Sequence, residues 1–441
     1  MRTLVAHAGT KYWPVAGLLL VFVLFTVPHF VRSLDAADGL EPSWNSSLIW
    51  VESSDCARAT GAFLAICQGD RVIPIADVSA GDDPGQPLAL DIYSILTGNA
   101  ASLADVSKLN STINYIGLVL LAMLLFTLRL PFLSLLILTF GVVISDRFQS
   151  TGPHPGHFGV ACLVTLLPLA VLGMPLAHVS RRVFRSWVVV GIAALAVAML
   201  FREAIGFMGV VCSLLATGLS YFLSNPKSRR SALVHAGLAF VIVLTVWTPY
   251  SILRLRDAIY HTSPSARMEQ HGTWHNLYIG LGAVENPFGI VWIDSYAIEA
   301  VKKIDPSVPY LSNAYFVILR REYFQMVLQH PVEVAAIYFK KLVIALKNYH
   351  MWLQISIVAA LFLFARRKLR AESPGWGGDD SVLAICAVFI AAFLGQAVLF
   401  HYTELYLFPV KLFLLLGAGV TFETVVRLVA VSIRRPKLQD A

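Results

Sequence analysis

INYIGLVLLAMLLFTLR at residues 113–129 runs, after Leu130, into PFLSLLILTFGVVIS at 131–145, and a single charge, Arg129, interrupts the whole stretch. A bilayer core needs about 20 apolar residues per helix, so this stretch reads as one span followed closely by a second. Outward from it, apolar runs recur at 12–31, 158–179, 187–201, 206–224, 232–252, 352–365, 381–400 and 406–430. The expected fold is therefore an all-α polytopic membrane protein with about ten transmembrane helices. Composition agrees: of 441 residues, 57% are hydrophobic and 14% charged, against roughly a quarter charged in a soluble domain. That balance excludes an ordinary soluble enzyme, and it excludes a disordered chain, which is poor in apolar residues. The run Tyr12 to Val31 is too long for a signal-peptide core and has no small-x-small site after it. It is expected to stay as the first helix.

Basic clusters follow alternate spans: Arg181, Arg182 and Arg185; Lys227, Arg229 and Arg230; Arg366, Arg367, Lys368 and Arg370; Arg434, Arg435 and Lys437. With both termini cytoplasmic, all four clusters fall inside, as the positive-inside rule requires. The net charge of +7 is then a topology signal and not a nucleic-acid surface. The expected location is the inner (cytoplasmic) membrane, with two long segments, 33–111 and 253–350, facing the exterior. The chain divides on this reading into a seven-helix module at 1–252, a second outer segment at 253–350 and C-terminal helices at 351–441. No internal repeat gives the matched halves of a transporter. Long loops on a rigid scaffold suit chemistry better.

From Trp50 the first outer segment reads WVESSDCARATGAFLAICQGDRVIP. Ser53 or Ser54 is a suitable helix cap and Gly69 a stop. Cys56, Ala59, Phe63 and Cys67 recur on one helical face, so a surface amphipathic helix is expected here. Its two cysteines pose a choice. One continuous helix separates them by about 16 Å along its axis, whereas a disulfide needs Cα atoms within about 7 Å. A break at Gly61 would allow the bridge that an oxidising compartment favours. Both arrangements are left open. The five cysteines form no CxxC pair, so neither a zinc site nor a thioredoxin motif is expected. Asp55 and Arg58 are spaced either for a local ion pair at a helix end or for a general base beside a phosphate-binding arginine.

The order first helix, D-x-x-R at Asp55–Arg58, surface helix, Gly69-Asp70, then x-Pro resembles bacterial lipid A aminoarabinose transferases and protein O-mannosyltransferases. These are polyprenyl-phosphate-dependent glycosyltransferases of the GT-C superfamily. The resemblance implies a GT-C-like fold whose long outer loops carry amphipathic surface helices. It also implies an acidic catalytic base just outside the first helix and an arginine, three residues on, that contacts donor phosphate. Asp55 and Arg58 match those positions, with Glu52 as a neighbouring substrate contact, and Gly69-Asp70 stands one residue closer than in the family. The family's Lys-Pro element corresponds to Gly81-Asp82-Asp83-Pro84-Gly85, so Asp83 stands in place of a phosphate-binding lysine. Asp82 and Asp83 thereby become rival catalytic candidates or cation ligands. Against that, D-D-P-G is a good turn sequence, and two adjacent carboxylates are far short of a cation cage. No protein metal site is expected, and a divalent cation is kept only as a candidate cofactor.

Other chemistry-bearing residues lie toward the same side. His154 and His157 flank a Pro-Gly pair in a short loop, suited to proton transfer or to plain solvation. Arg202 and Glu203 mark the junction of two spans, where charge is costly unless paired, solvated or on a substrate path. Beyond the seventh span come Arg254 and Arg256, whose forked donors suit a donor phosphate. Tyr260, His271, Trp274 and His275 follow, and Trp, His and Tyr in a Gly-containing loop suit a sugar or an interfacial belt. Residues 313–349 read as a second amphipathic helix pair, whose Arg320, Arg321, Lys340, Lys341 and Lys347 are expected at lipid head groups. The sequons at Asn45 and Asn110 carry little weight.

The expected function is an inverting membrane glycosyltransferase that moves a sugar from a polyprenyl-phosphate donor to an extracytoplasmic glycan, lipid or protein. Asp55 would take the acceptor proton, and Arg58 with Arg254 or Arg256 would balance charge on the departing phosphate. The partners implied are that donor, that acceptor and membrane lipids, with no nucleic acid. Two alternatives stand beside it: a polysaccharide polymerase or ligase using a lipid diphosphate, and a non-enzymatic lipid-sugar transporter.

Overall fold

The computed structural model describes residues 15–36, 45–75, 83–146, 156–175, 181–223, 229–260, 272–370 and 377–434. The principal elements are, in chain order, α1 (Val15–Asp35), α2 (Asn45–Thr60), β1 (Ala65–Gln68), β2 (Arg71–Pro74), α3 (Gly85–Thr97), α4 (Leu103–Thr127) and α5 (Pro131–Ser145). Next come α6 (Gly156–Gly173), α7 (Arg181–Phe201), α8 (Glu203–Leu223), α9 (Arg229–Tyr260), α10 (Thr273–Gly280) and α11 (Asp294–Ile304). The last are α12 (Asn313–Gln329), α13 (Pro331–Lys347), α14 (Met351–Arg370), α15 (Gly378–Leu399) and α16 (Val410–Arg434).

Among the described residues, seven helices (α1, α4, α7, α8, α9, α15 and α16) are long and apolar enough to cross a membrane. This makes the protein a polytopic, all-helical one. α5 and α6 are shorter apolar helices, and α14 carries its apolar residues at 351–365, ahead of Arg366, Arg367 and Lys368.

α6 is apolar on every side, and such a helix must be surrounded. Its residues from Phe158 to Leu172 are buried among α4, α7 and α8. The crossing with α4 is close because Gly117 meets the Gly159 carbonyl, where an added Cβ would stand 2.6 Å from that oxygen. The Gly159 amide donates to Asn114 Oδ1 at 2.7 Å across the same crossing. Small residues let membrane helices approach in this way. α15 and α16 join the same core, with Phe389 stacked on Phe413 at 4.6 Å. α1 and α9 bury little of their surface.

Charges at one end of the bundle are consumed by helix termini. Glu423 accepts from the Phe132 and Leu133 amides, each at 3.1 Å, and so caps the start of α5, where four amides lack intrahelical partners. Arg427 reaches Asp379 at 3.1 Å and the Arg129 carbonyl at 2.8 Å.

The first long segment corrects the expected surface helix. α2 begins before Ser53 and Ser54, which are buried inside it and cap nothing. It stops at Thr60, and Gly61 follows with φ +78°, a conformation glycine adopts without steric cost. The chain then doubles back as β1, which pairs antiparallel with β2. Gly69-Asp70 is the hairpin turn between them and not a helix stop. Because the helix breaks at Gly61, Cys56 and Cys67 come within 5.3 Å between Cα atoms and form a disulfide.

The seventh span is also corrected. α9 continues through 252 to Tyr260, so Arg254, Arg256 and Tyr260 are helical, and the division at 252/253 falls inside a helix. Backbone bonding carries the helix beyond the point where its uninterrupted apolar run ends. Asn110, in the second sequon, is buried within α4. The second long segment has a core of its own, built from Tyr278, Ile279, Tyr315, Phe316, Leu319 and Ile337 among others.

Candidate functional site

Asp55 and Arg58 sit in the last turns of α2 and face solvent. The carboxylate and guanidinium are 3.6 Å apart, with side chains 52% and 46% exposed. Glu52, one turn earlier, is exposed on the same side. A pair this open is worth little to stability, and both groups are accessible to a ligand.

The scaffold beneath this pair is tightly held, and sequence reasoning missed its centre. Leu64, just past the helix break, is fully buried with φ +53°. Its amide donates to Asp91 Oδ2 on α3 at 2.6 Å, and Ser53 Oγ donates to the same oxygen at 3.1 Å. Its carbonyl accepts from the Ile75 amide at 3.1 Å and from Arg256 Nη1 at 3.0 Å. Burial pushes the Asp91 carboxyl up to about 7, against the lowering pull of the Leu64 and Ser53 bonds. No spacing rule singles out Asp91, because its importance comes from its depth beside an elbow that only the folded chain creates.

Arg256 is thereby reassigned. It is buried, and besides Leu64 it donates through Nε and Nη2 to Asp257 Oδ1 at 2.8 and 2.6 Å. It holds the elbow and has no free fork for a phosphate. Tyr260 likewise donates its hydroxyl to the Gly61 carbonyl at 2.5 Å and packs edge-on against Phe63. Arg254 remains at the surface of α9, with Nε on the Tyr250 hydroxyl at 2.7 Å and its guanidinium over that ring.

Asp83 is buried and pairs with Arg202 at 2.5 Å, while its other oxygen accepts from the Glu203 amide at 2.9 Å. The carboxylate thus caps α8, a favourable place for negative charge. Behind it Gly85 touches the α7 backbone, where a Cβ would stand 2.8 Å from Leu200. The D-P-G turn is therefore a docking joint: Arg202 answers Asp83, and Asp83 is not an open catalytic acid. Asp82, His154 and His271 lie outside the described residues. His157 is buried at the start of α6, in place of the loop position expected.

In the second long segment His275 is buried and held at both nitrogens, Nδ1 to the Tyr315 hydroxyl at 2.7 Å and Nε2 to Asp294 Oδ1 at 3.0 Å. The His275 bond holds the Asp294 carboxyl below its usual range, against a smaller desolvation effect. Trp274 is half-buried between Phe324, 5.5 Å away, and the Arg320 guanidinium. Lys341 is also corrected. It is buried inside the protein and donates to the Gly280, Leu399 and Phe400 carbonyls at 2.9, 3.1 and 2.9 Å. Burial pushes its ammonium down to about 7, although three carbonyl acceptors favour the charged form.

Of the residues expected at a site, the structure brings Glu52, Asp55 and Arg58 together on one open face, and it joins Asp83 to Arg202 and Glu203. It sets Trp274 and His275 in the second segment. No family model, curated protein or solved structure matches the chain.

Proposed function

We propose that the protein is an inverting membrane glycosyltransferase that takes a sugar from a polyprenyl-phosphate carrier and gives it to an extracytoplasmic glycan, lipid or protein. The observation that carries this reading is the open Asp55–Arg58 pair on a disulfide-stapled elbow. An acid and a cation side by side are what the reaction needs: a base for the acceptor hydroxyl and positive charge near a departing phosphate. Arg254, half-buried on α9, is the second cation of this reading. Asp83 and Arg256 leave the catalytic set because each is occupied within the fold. On this reading α5, α6 and α14 join the seven long helices to make about ten spans of an inner (cytoplasmic) membrane protein. Both termini are cytoplasmic, and the disulfide lies on the oxidising side.

The test is turnover of the full chain in lipid, given polyprenyl-phosphate sugars and a panel of acceptors. Asp55→Asn keeps size and hydrogen bonding but cannot take a proton, and it is expected to lower the rate by about 10²–10⁴-fold with the Cys56–Cys67 bridge intact. Unchanged turnover in this variant, with loss in Glu52→Gln, would move the base one turn along α2. The same assay in chelator separates arginine neutralisation from a divalent cation: an unchanged rate supports Arg58 and Arg254.

A further inference from the structure

α13 reads PVEVAAIYFKKLVIALK, and its residues divide into three stripes. Val334, Ile337, Lys341 and Ala345 are the buried face. Val334 and Ile337 enter the core of the second long segment, whereas Ala345 enters the core of the bundle, so the helix bridges the two. On the opposite face Val332, Ala335, Ala336, Phe339, Val343 and Leu346 recur at i, i+3, i+4, i+7, i+11 and i+14. This stripe contains no polar side chain and extends about 21 Å. Val332 is 76% exposed and Phe339 66%. Glu333, Lys340 and Lys347 lie together on one flank between the two faces.

A helix with water opposite its buried face carries polar residues there. α13 carries apolar residues on both faces, so its open stripe faces something other than water. Two facts indicate what. α13 ends at Lys347 and α14 starts at Met351, so the stripe lies within a few residues of a segment that carries an apolar run into the bundle. The charges border the stripe on one side only, which is the pattern of a helix lying in a membrane interface with lysines at head-group level.

We infer that α13 lies in the leaflet on the side of the two long segments, its Val332–Leu346 stripe among acyl chains and Lys340 and Lys347 among head groups. The occupant of the stripe is bilayer lipid. This goes beyond sugar transfer and holds whether or not the protein performs it. It also gives Lys341 a purpose: on the other face of the same helix, it ties the end of α10 to the end of α15 through three carbonyls. The second long segment is thereby fixed against the membrane surface, the level at which a lipid-linked substrate presents its head group.

The test is site-directed spin labelling of the full chain in phosphatidylcholine–phosphatidylglycerol vesicles. The native cysteines are either bridged or buried, so a cysteine introduced at the surface takes the label. Val332→Cys, Ala336→Cys and Phe339→Cys are expected to be relaxed by oxygen more than by a water-soluble nickel chelate, and Lys340→Cys the reverse. Preferential relaxation by the nickel chelate at 336 and 339 would overturn the inference. So would spin–spin broadening at 339 that disappears on dilution with unlabelled chain, which would assign the stripe to a second copy. Ala336→Cys is a small change at an exposed position, so the test survives if Phe339→Cys fails to fold. Neither readout requires turnover, so its failure is distinct from failure of the glycosyltransferase reading.

Discussion

The two long segments solve the same problem by different means. Residues 45–75 are held by a disulfide, a two-stranded hairpin and buried charged groups borrowed from α3 and α9. Residues 272–347 are held by an aromatic core of their own and by Lys341 against the bundle. The apolar residues of the first segment (Trp50, Leu64, Ile66 and Ile75) pack on Leu90, Val106 and Leu253 of α3, α4 and α9 and form no core of their own, so staples add to their hold. The stapled segment is also the one that leaves an acid and an arginine in the open. A rigid elbow with an exposed charged edge suits chemistry, whereas a packed unit with a lipid-facing helix suits anchoring.

A large effect on this comparison is expected from Cys56→Ser. The bridge closes a loop of sequence separation 11, for which the chain-entropy model gives about 3 kcal/mol. Hydrogen exchange is expected to accelerate in peptides covering 61–75 and to stay unchanged over 272–347. Equal acceleration in both would mean that the segments share one cooperative unit, and the contrast would fall.

A second effect belongs to Asp91 and to pH. Its carboxyl is raised to about 7 in the fold, against about 3.9 in an unfolded chain. The folded state therefore holds the proton more tightly between these values. Stability of the elbow is full at the acid end, falls as pH rises from about 4 toward 7, and is level above that. The slope is at most about 1.4 kcal/mol per pH unit. Exchange at the Leu64 amide is expected to gain protection on acidification beyond its intrinsic pH dependence, and Asp91→Asn to remove that gain. A slope of the opposite sign would show that Asp91 is held ionised, with the Leu64 amide and Ser53 outweighing burial.

How much of this was legible in the sequence follows from what each signal measures. Apolar runs located the seven helices that are long and apolar enough to cross a membrane, because hydropathy reports immersion in lipid, but they placed the end of α9 at 252, eight residues before the helix stops. Gly61 was legible as the place where the helix could break, since φ above zero is a local property of glycine, but the sequence left the continuous helix and the bridged one open. Ser53 and Ser54 were misread because a helix that starts at Asn45 leaves nothing there to cap, and Gly69 because the helix has already ended at Thr60. Asp91, Arg256 and Lys341 were not legible as structural groups. A buried charge looks like any other charge until its partners, 27, 192 and 61 residues away, are placed beside it. Asp83 shows the same limit: its turn was readable, but its partner Arg202 was not.

The smallest effect is expected in the second segment, from Tyr315→Phe. The change removes one hydroxyl and leaves the ring among Tyr310, Phe316 and the rest of that core, so no cavity forms. His275 loses its partner at Nδ1 but keeps Asp294 at Nε2, and a single lost bond of this kind costs about 1 kcal/mol. Because the unit rests on packing, exchange over 272–347 is expected to quicken only a few-fold, roughly the fivefold that 1 kcal/mol allows, with 61–75 untouched. If Tyr315→Phe instead loosens its segment as much as Cys56→Ser loosens the other, then the His275 relay is itself a staple. The two segments would then differ in the chemistry of their fastenings and not in whether they need them.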